Sequence, residues 1–121
     1  MMADLIREQD SLVLRLTTIE KVEGVHGDIR VPASAVKSVT ILDDAIHAVH
    51  GMKLPGSRIP GVFAMGTFIS GEGKVFAIVH HHTKRGLKVN LKGATYDALI
   101  VGLGDPEGIA SSLGFVTNPQ V

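Results

Sequence analysis

The chain has 121 residues, of which 45% are apolar and only 4% aromatic, so it is long enough for one domain with a largely aliphatic core. Twelve lysine and arginine residues balance twelve aspartate and glutamate residues, so no overall charge attracts the chain to nucleic acid or to an anionic membrane. The absence of cysteine excludes disulfides, thiolate zinc sites and cysteine nucleophiles.

The first ten residues, MMADLIREQD, become charged at the fourth position and contain no apolar stretch of the kind found in a signal peptide. The longest apolar run in the chain is far shorter than the roughly 20 residues that span a bilayer. We therefore expect a soluble, cytoplasmic protein. The expected organisation is a single domain at 11–114, with residues 1–10 and 115–121 as terminal tails.

Strand patterns dominate the first third of the chain. Residues 11–19 alternate in hydrophobicity with a period of two, which predicts a half-buried strand. The stretch TIEKVEGVHG then favours a short helix that Thr18 caps and Gly27 ends, and a continued strand fits the same residues. Two more strands are predicted at 28–32 and 36–42, on either side of a tight turn in the sequence PASAV.

A brief helix is expected after these strands, because Asp43 and Asp44 break the strand pattern and can cap the sequence AIHAVHG. His47 and His50 lie three positions apart in that sequence, a spacing that places two side chains on neighbouring parts of a helix surface.

The second half of the chain again predicts strands, with a bulge or a close backbone approach at Gly66 and a hairpin turn in the sequence SGEG. The polar sequence HHHTKRG is expected to reverse the chain between two of them. The four predicted strands lie at 62–69, 74–79, 87–92 and 97–104.

The clearest predicted helix follows Asp105, which is a typical N-cap residue and precedes a proline at the first helical position. Ile109 and Leu113 are four residues apart on one face, and Gly114 ends the helix. Seven strands without β-α-β alternation predict a mainly β (α+β) fold, an antiparallel sandwich or partly open barrel. The C-terminal helix would cap its open end, and the brief helix would lie in mid-chain.

Three stretches of the sequence, taken in order, resemble parts of small bacterial pleckstrin-homology-like (PH-like) domains. GDIRVPASAVKSV is similar to their first strands, LPGSRIPGVFAMGTF to their glycine-rich centre, and YDALIVGLGDPEGIASSL to their last strand and capping helix. The resemblance covers about residues 12–113 and implies a seven-stranded antiparallel PH-like domain. Such domains include phosphoinositide binders, peptide binders and interaction modules, so the fold alone does not choose between them.

Lipid-binding members of that superfold carry a basic loop between their first two strands. The corresponding stretch here, TIEKVEGVHG, has two glutamates, one lysine and one histidine. Binding of anionic lipid is therefore the third of three functional expectations, and we do not expect strong membrane association.

Arg58 lies between the two Pro-Gly pairs of the sequence LPGSRIPG. It is a candidate clamp for an anion or a carboxylate, and with His47 and His50 it forms the candidate ligand-binding set. The structural alternative is that Arg58 ties the loop to its own carbonyls or to Asp43 or Asp44. The glycines precede a predicted strand rather than a helix, so the loop is not a phosphate-binding P-loop.

The stretch HHHTKR makes a locally basic turn, which protonation of histidine below about pH 6.5 would strengthen. Its candidate contacts for an acidic partner are His80, His82, Lys84 and Arg85. The alternative is a hairpin tip whose charges only keep it soluble. The histidines lack a third ligand at a diagnostic spacing, so no metal or other cofactor is predicted.

No pattern typical of catalysis is found, because the serines fit no nucleophile elbow and Asp43 and Asp44 are adjacent rather than convergent. The aromatic residues lack interleaved cations, so no nucleic-acid partner is expected. The leading hypothesis is a non-enzymatic PH-like module that contacts a protein, either itself or another chain. The alternative is a small-ligand or anion binder with a pocket near Arg58.

Overall fold

The computed structural model of the protein describes residues 4–16, 28–49, 52–53, 62–71 and 73–118. These residues form a three-stranded sheet and a seven-stranded sheet, together with a few short helices. The predicted helix between Thr18 and Gly27 and the Pro-Gly loop at 54–61, with Arg58, lie outside the described residues, as does His50.

The smaller sheet is antiparallel throughout. Its strands, in spatial order, are β1 (Asp4–Glu8), β2 (Ser11–Arg15) and β3 (Ile29–Pro32). Strand β1 corrects the expected tail at 1–10. Its sequence, DLIRE, is mostly charged, but Leu5 is 1% exposed and pairs with Leu14, so the strand contributes a buried apolar side chain to the core.

The larger sheet has the order β10-β4-β8-β9-β7-β6-β5. Its strands are β4 (Val36–Leu42), β5 (Met52–Lys53), β6 (Val62–Ser70), β7 (Gly73–His80), β8 (Gly86–Leu91), β9 (Ala98–Gly102) and β10 (Thr117–Asn118). Strand β10 lies where the second tail, 115–121, was expected. The mainly β character is confirmed, and neither sheet closes into a barrel within the described residues.

The expectation of seven antiparallel strands is wrong in number and in direction. The described residues form ten strands, and two pairs of the larger sheet, β7 with β9 and β4 with β10, run parallel. Strand β9 follows both β7 and β8 in the chain but lies between them in the sheet. Strands β7 and β8 are therefore consecutive in sequence and each pairs with β9 rather than with the other. Hydrophobic alternation predicts a strand but not its neighbours, which explains the error.

The core consists of two clusters, one on each face of the larger sheet. Strands β7 and β9 contribute alternate side chains to both clusters: Phe76 and Leu99 to one, Ala77 and Ile100 to the other. This explains their continuous apolar sequences, which are typical of strands buried on both faces. The first cluster also contains the smaller sheet and the C-terminal helix.

Three short helical elements connect these strands. They are a 3₁₀ turn at Ala33–Ala35, a short helix at Ala45–Ala48 and the C-terminal helix at Pro106–Leu113. The C-terminal helix is confirmed: the Asp105 carboxylate accepts the Gly108 N–H at 3.1 Å, and Gly114 ends the helix at φ 73°. Leu113 is 1% exposed and Ile109 packs against the first cluster, so the predicted face is the one that packs.

Candidate interaction surface

The histidine-rich stretch starts inside the sheet rather than in a solvent-exposed turn. His80 is the last residue of β7 and is only 9% exposed, and its carbonyl accepts the Thr83 N–H at 3.0 Å. The His82 side chain is exposed, and its ring lies 5.7 Å from the His80 ring, centroid to centroid. Of the candidate partner contacts, His82 and Lys84 are therefore at the surface, and His80 is largely enclosed.

Arg85 joins three elements at one end of the larger sheet. Its guanidinium forms a two-pronged ion pair with the Glu107 carboxylate, in which Nη1 lies 2.9 Å from Oε1, and its Nε lies 3.4 Å from Asp43 Oδ1. The same turn also receives backbone hydrogen bonds, since the Lys84 carbonyl accepts the Ala45 N–H at 2.6 Å. Arg85 thus holds the turn against the starts of both helices.

Asp44 and His47 form a second hydrogen-bonded pair nearby. Asp44 caps the short helix, and its two carboxylate oxygens accept the His47 backbone N–H at 3.1 Å and contact Nδ1 of the ring at 2.5 Å. The His47 side chain is 85% exposed. We call Asp43, Asp44, His47, Arg85 and Glu107 the charged corner.

The pKa values of two carboxylates in the charged corner reflect these contacts. The hydrogen bond from the His47 side chain, reinforced by its backbone N–H, lowers the pKa of Asp44 below its ordinary value. The hydrogen bond from Arg85 is the main reason that the pKa of Glu107 is lowered, and the same contact raises the pKa of Arg85. Both carboxylates are therefore held in the charged form.

Arg58 was expected either to bind a ligand or to contact Asp43 or Asp44, and both of these aspartates belong to the charged corner. Asp43 and Asp44, its suggested structural partners, contact Arg85 and His47 respectively. Arg58 and His50 themselves lie outside the described residues, so of the candidate ligand-binding set only His47 can be placed. Its role in ligand binding stays a prediction.

A surface that the sequence analysis missed lies at the edge of the larger sheet where β10 pairs with β4. Strand β10 pairs in parallel with β4 at two positions, Thr117 with Val39 and Asn118 with Thr40. The Val39 N–H donates to the Val116 carbonyl at 2.7 Å, and the Val116 side chain is 69% exposed. We call residues 115–118 the edge segment.

The edge segment borders a set of polar side chains on the face of the sheet opposite the first core cluster. The Asn90 side-chain amide donates to Ser38 Oγ at 3.1 Å and to Thr40 Oγ1 at 3.2 Å. The Asn118 amide donates to the same Ser38 oxygen at 3.1 Å. We call Ser38, Thr40 and Asn90 the polar row. The alternation of Ser38, Thr40 and Asn90 with apolar neighbours was visible in the sequence, but their pairing across β4 and β8 was not.

The chain matches no protein-family model, and comparison with curated proteins and with solved structures finds no match. None of the helices in the described part of the chain is long and apolar enough to cross a bilayer.

Proposed function

We propose that the protein is a non-enzymatic, PH-like interaction module that binds another protein, either a different chain or a second copy of itself. The observation that carries the proposal is the outer edge of β4. This strand has seven residues, and β10 pairs with two of them. A strand edge of this kind can receive an extended segment of another chain through backbone hydrogen bonds, which is β-augmentation.

Several features of the fold support the PH-like part of the proposal. The protein is mainly β, its two sheets pack around a shared core, and a C-terminal helix covers part of that core. The parallel pairs β7–β9 and β4–β10 depart from an antiparallel PH-like order. Support for the PH-like fold therefore comes from the mainly β content and from the packing of two sheets and a helix around one core, rather than from the order of the strands.

The charged corner supports a second, polar contact with the partner. Lys84 and His82 have exposed side chains beside it, and we assign them to acidic groups of the partner. Arg85 is already engaged by Asp43 and Glu107, so its role in this proposal is to fix the turn that presents Lys84.

Selection of random peptides displayed on phage against the immobilised protein tests the proposal. We expect enrichment of peptides that share an extended motif, and we expect an enriched peptide to shift the NMR amide resonances of β4, whereas its scrambled version leaves them unchanged. Sedimentation equilibrium measures self-association in parallel. A failure to enrich any peptide, together with a monomer at every concentration, would refute the proposal. Flotation with anionic vesicles in that case would point to lipid instead.

A further inference from the structure

The edge segment is attached to the rest of the protein by a small number of contacts. Strand β10 pairs with β4 at two positions, the Val116 carbonyl also accepts the Val39 N–H, and the Asn118 amide donates to Ser38 Oγ. Phe115 packs against the first core cluster, and the Arg7 guanidinium lies 4.5 Å from the centre of its ring. The side chains of residues 116–118 are all exposed, so within the edge segment only Phe115 buries apolar surface.

The side chains of the polar row next to the edge segment are held in place by the sheet itself and not by the edge segment. The Asn90 amide orients both hydroxyls of the polar row from the neighbouring strand, and Thr40 is only 7% exposed. On the other face of β4, Val39 is fully buried in the first core cluster. A strand that pairs with β4 therefore meets a fixed pattern, apolar on one face and amide-binding on the other.

We propose that the β4 edge is the docking site for an extended peptide of a partner protein, which runs parallel to β4 and places a carboxamide side chain, Asn or Gln, beside Ser38. The edge segment occupies this site in the free protein and acts as an intramolecular competitor. The inference rests on the protein-binding function proposed above and specifies where the partner binds and which chemistry it presents.

The edge segment itself shows the binding mode. Asn118 satisfies the polar row on one face, and Phe115 packs against the first core cluster on the other. A partner peptide that continues the pairing along more of β4 gains further backbone hydrogen bonds that the two-residue strand β10 does not make. Because the competitor is tethered through Gly114, its high effective concentration lowers the apparent affinity of any peptide added in trans.

A labelled peptide of residues 114–121, GFVTNPQV, is the probe, and its binding to the full chain is measured by fluorescence anisotropy. The substitution Asn118→Ala in the protein weakens the competitor but leaves the site intact. We expect it to tighten peptide binding roughly fivefold, the factor that corresponds to one hydrogen bond. Ser111→Ala removes an exposed hydroxyl from the C-terminal helix and is expected to bind the peptide as the wild type does.

A double-mutant cycle in the Asn118→Ala protein tests the amide contact. Replacing the peptide's asparagine with alanine is expected to weaken binding by about the same factor, and Ser38→Ala in the protein is expected to remove that difference. Equal binding by the wild type and Asn118→Ala, or indifference to the peptide's asparagine, would overturn the inference. So would a dimer that the peptide dissociates, because the occupant would then be a second copy. If library peptides bind the protein and shift the β4 amides while this probe does not bind, the proposed function survives, and only the carboxamide contact and the role of the edge segment as a competitor fail.

Discussion

Strand β8 begins at Gly86, where the backbone of β8 lies against that of β9. A Cβ atom at this position would lie 2.1 Å from the Val101 carbonyl oxygen, far inside van der Waals contact and against a backbone atom rather than the end of a flexible side chain. A glycine here is what allows β9 to fit between β7 and β8. Gly104, in contrast, has no heavy atom within 4 Å of the corresponding position.

We predict that Gly86→Ala destabilises the protein by about 2 kcal/mol or more, because the added methyl group forces the two strands apart. Gly104→Ala is the matched control and is expected to change the free energy of unfolding by no more than about 0.5 kcal/mol. Urea denaturation of both variants measures the difference. Equal stabilities would mean that β8 and β9 do not approach each other at Gly86.

At the scale of single elements, the C-terminal helix depends on its N-terminal cap. The Asp105 carboxylate accepts the Gly108 N–H, and Pro106 occupies the first helical position, where its missing N–H costs nothing. Asp105→Ala is expected to lower the free energy of unfolding by about 1 kcal/mol, whereas Asp105→Ser keeps an oxygen that can cap the helix and is expected to lose less. Thermal or urea denaturation distinguishes the two variants, and an unchanged stability of Asp105→Ala would show that the cap contributes nothing.

The ion pair between Arg85 and Glu107 connects that helix to the start of β8 and makes a pH-dependent contribution to stability. The folded-state pKa of Glu107 is lower than its ordinary value of 4.5, chiefly because of the hydrogen bond from Arg85. A lowered pKa means that the unfolded chain binds more protons, so the stabilisation is complete well above pH 4.5 and decreases as the pH falls through the folded-state pKa.

The substitution Glu107→Gln isolates this contribution. We expect the wild type to be more stable than the variant at neutral pH, and we expect the difference to shrink as the pH falls below 4.5. Urea denaturation of both proteins across that range measures it. Because the ion pair is exposed, the difference in the free energy of unfolding between the two proteins is expected to be small. Added salt is expected to reduce that difference further. A stability difference that grows as the pH falls would contradict the stabilising role of the ion pair between Arg85 and Glu107.

Elements with strong local signals were predictable from the sequence. The strand at 36–42 and the helix at Pro106–Leu113 have the expected bounds, because alternation, an N-cap, a proline and a terminal glycine act within a few residues. Strand β1 was missed, because three of its five side chains are charged and only Leu5 is fully buried. Local patterns therefore identify strands only where one whole face is apolar.

The candidate surfaces were less predictable, because each brings together distant parts of the chain. Arg85 meets Asp43 and Glu107 across separations of 42 and 22 residues, and no spacing rule links those positions. The edge segment was interpreted as a tail, because Thr117 and Asn118 are polar and exposed and show no strand pattern.

For the molecule as a whole, the order of the larger sheet predicts a gradient of local stability. Strand β9 lies between β7 and β8 and all five of its residues are buried, so its amides can exchange only when the sheet opens. Strand β10 is at the edge, two residues long and exposed. Native-state hydrogen exchange is therefore expected to show the slowest exchange at Leu99 and Val101.

The Val39 amide is the most informative position in that experiment, because it donates to the carbonyl of Val116 in the edge segment. Release of the edge segment would expose the Val39 amide while the central strands of the sheet stay intact. We expect its opening free energy to be well below that of Leu99, and we expect Asn118→Ala to lower it further without changing β9. Protection of Val39 equal to that of Leu99 would mean that the segment leaves only on global unfolding, and a competitor held that firmly could not yield its place to a partner peptide.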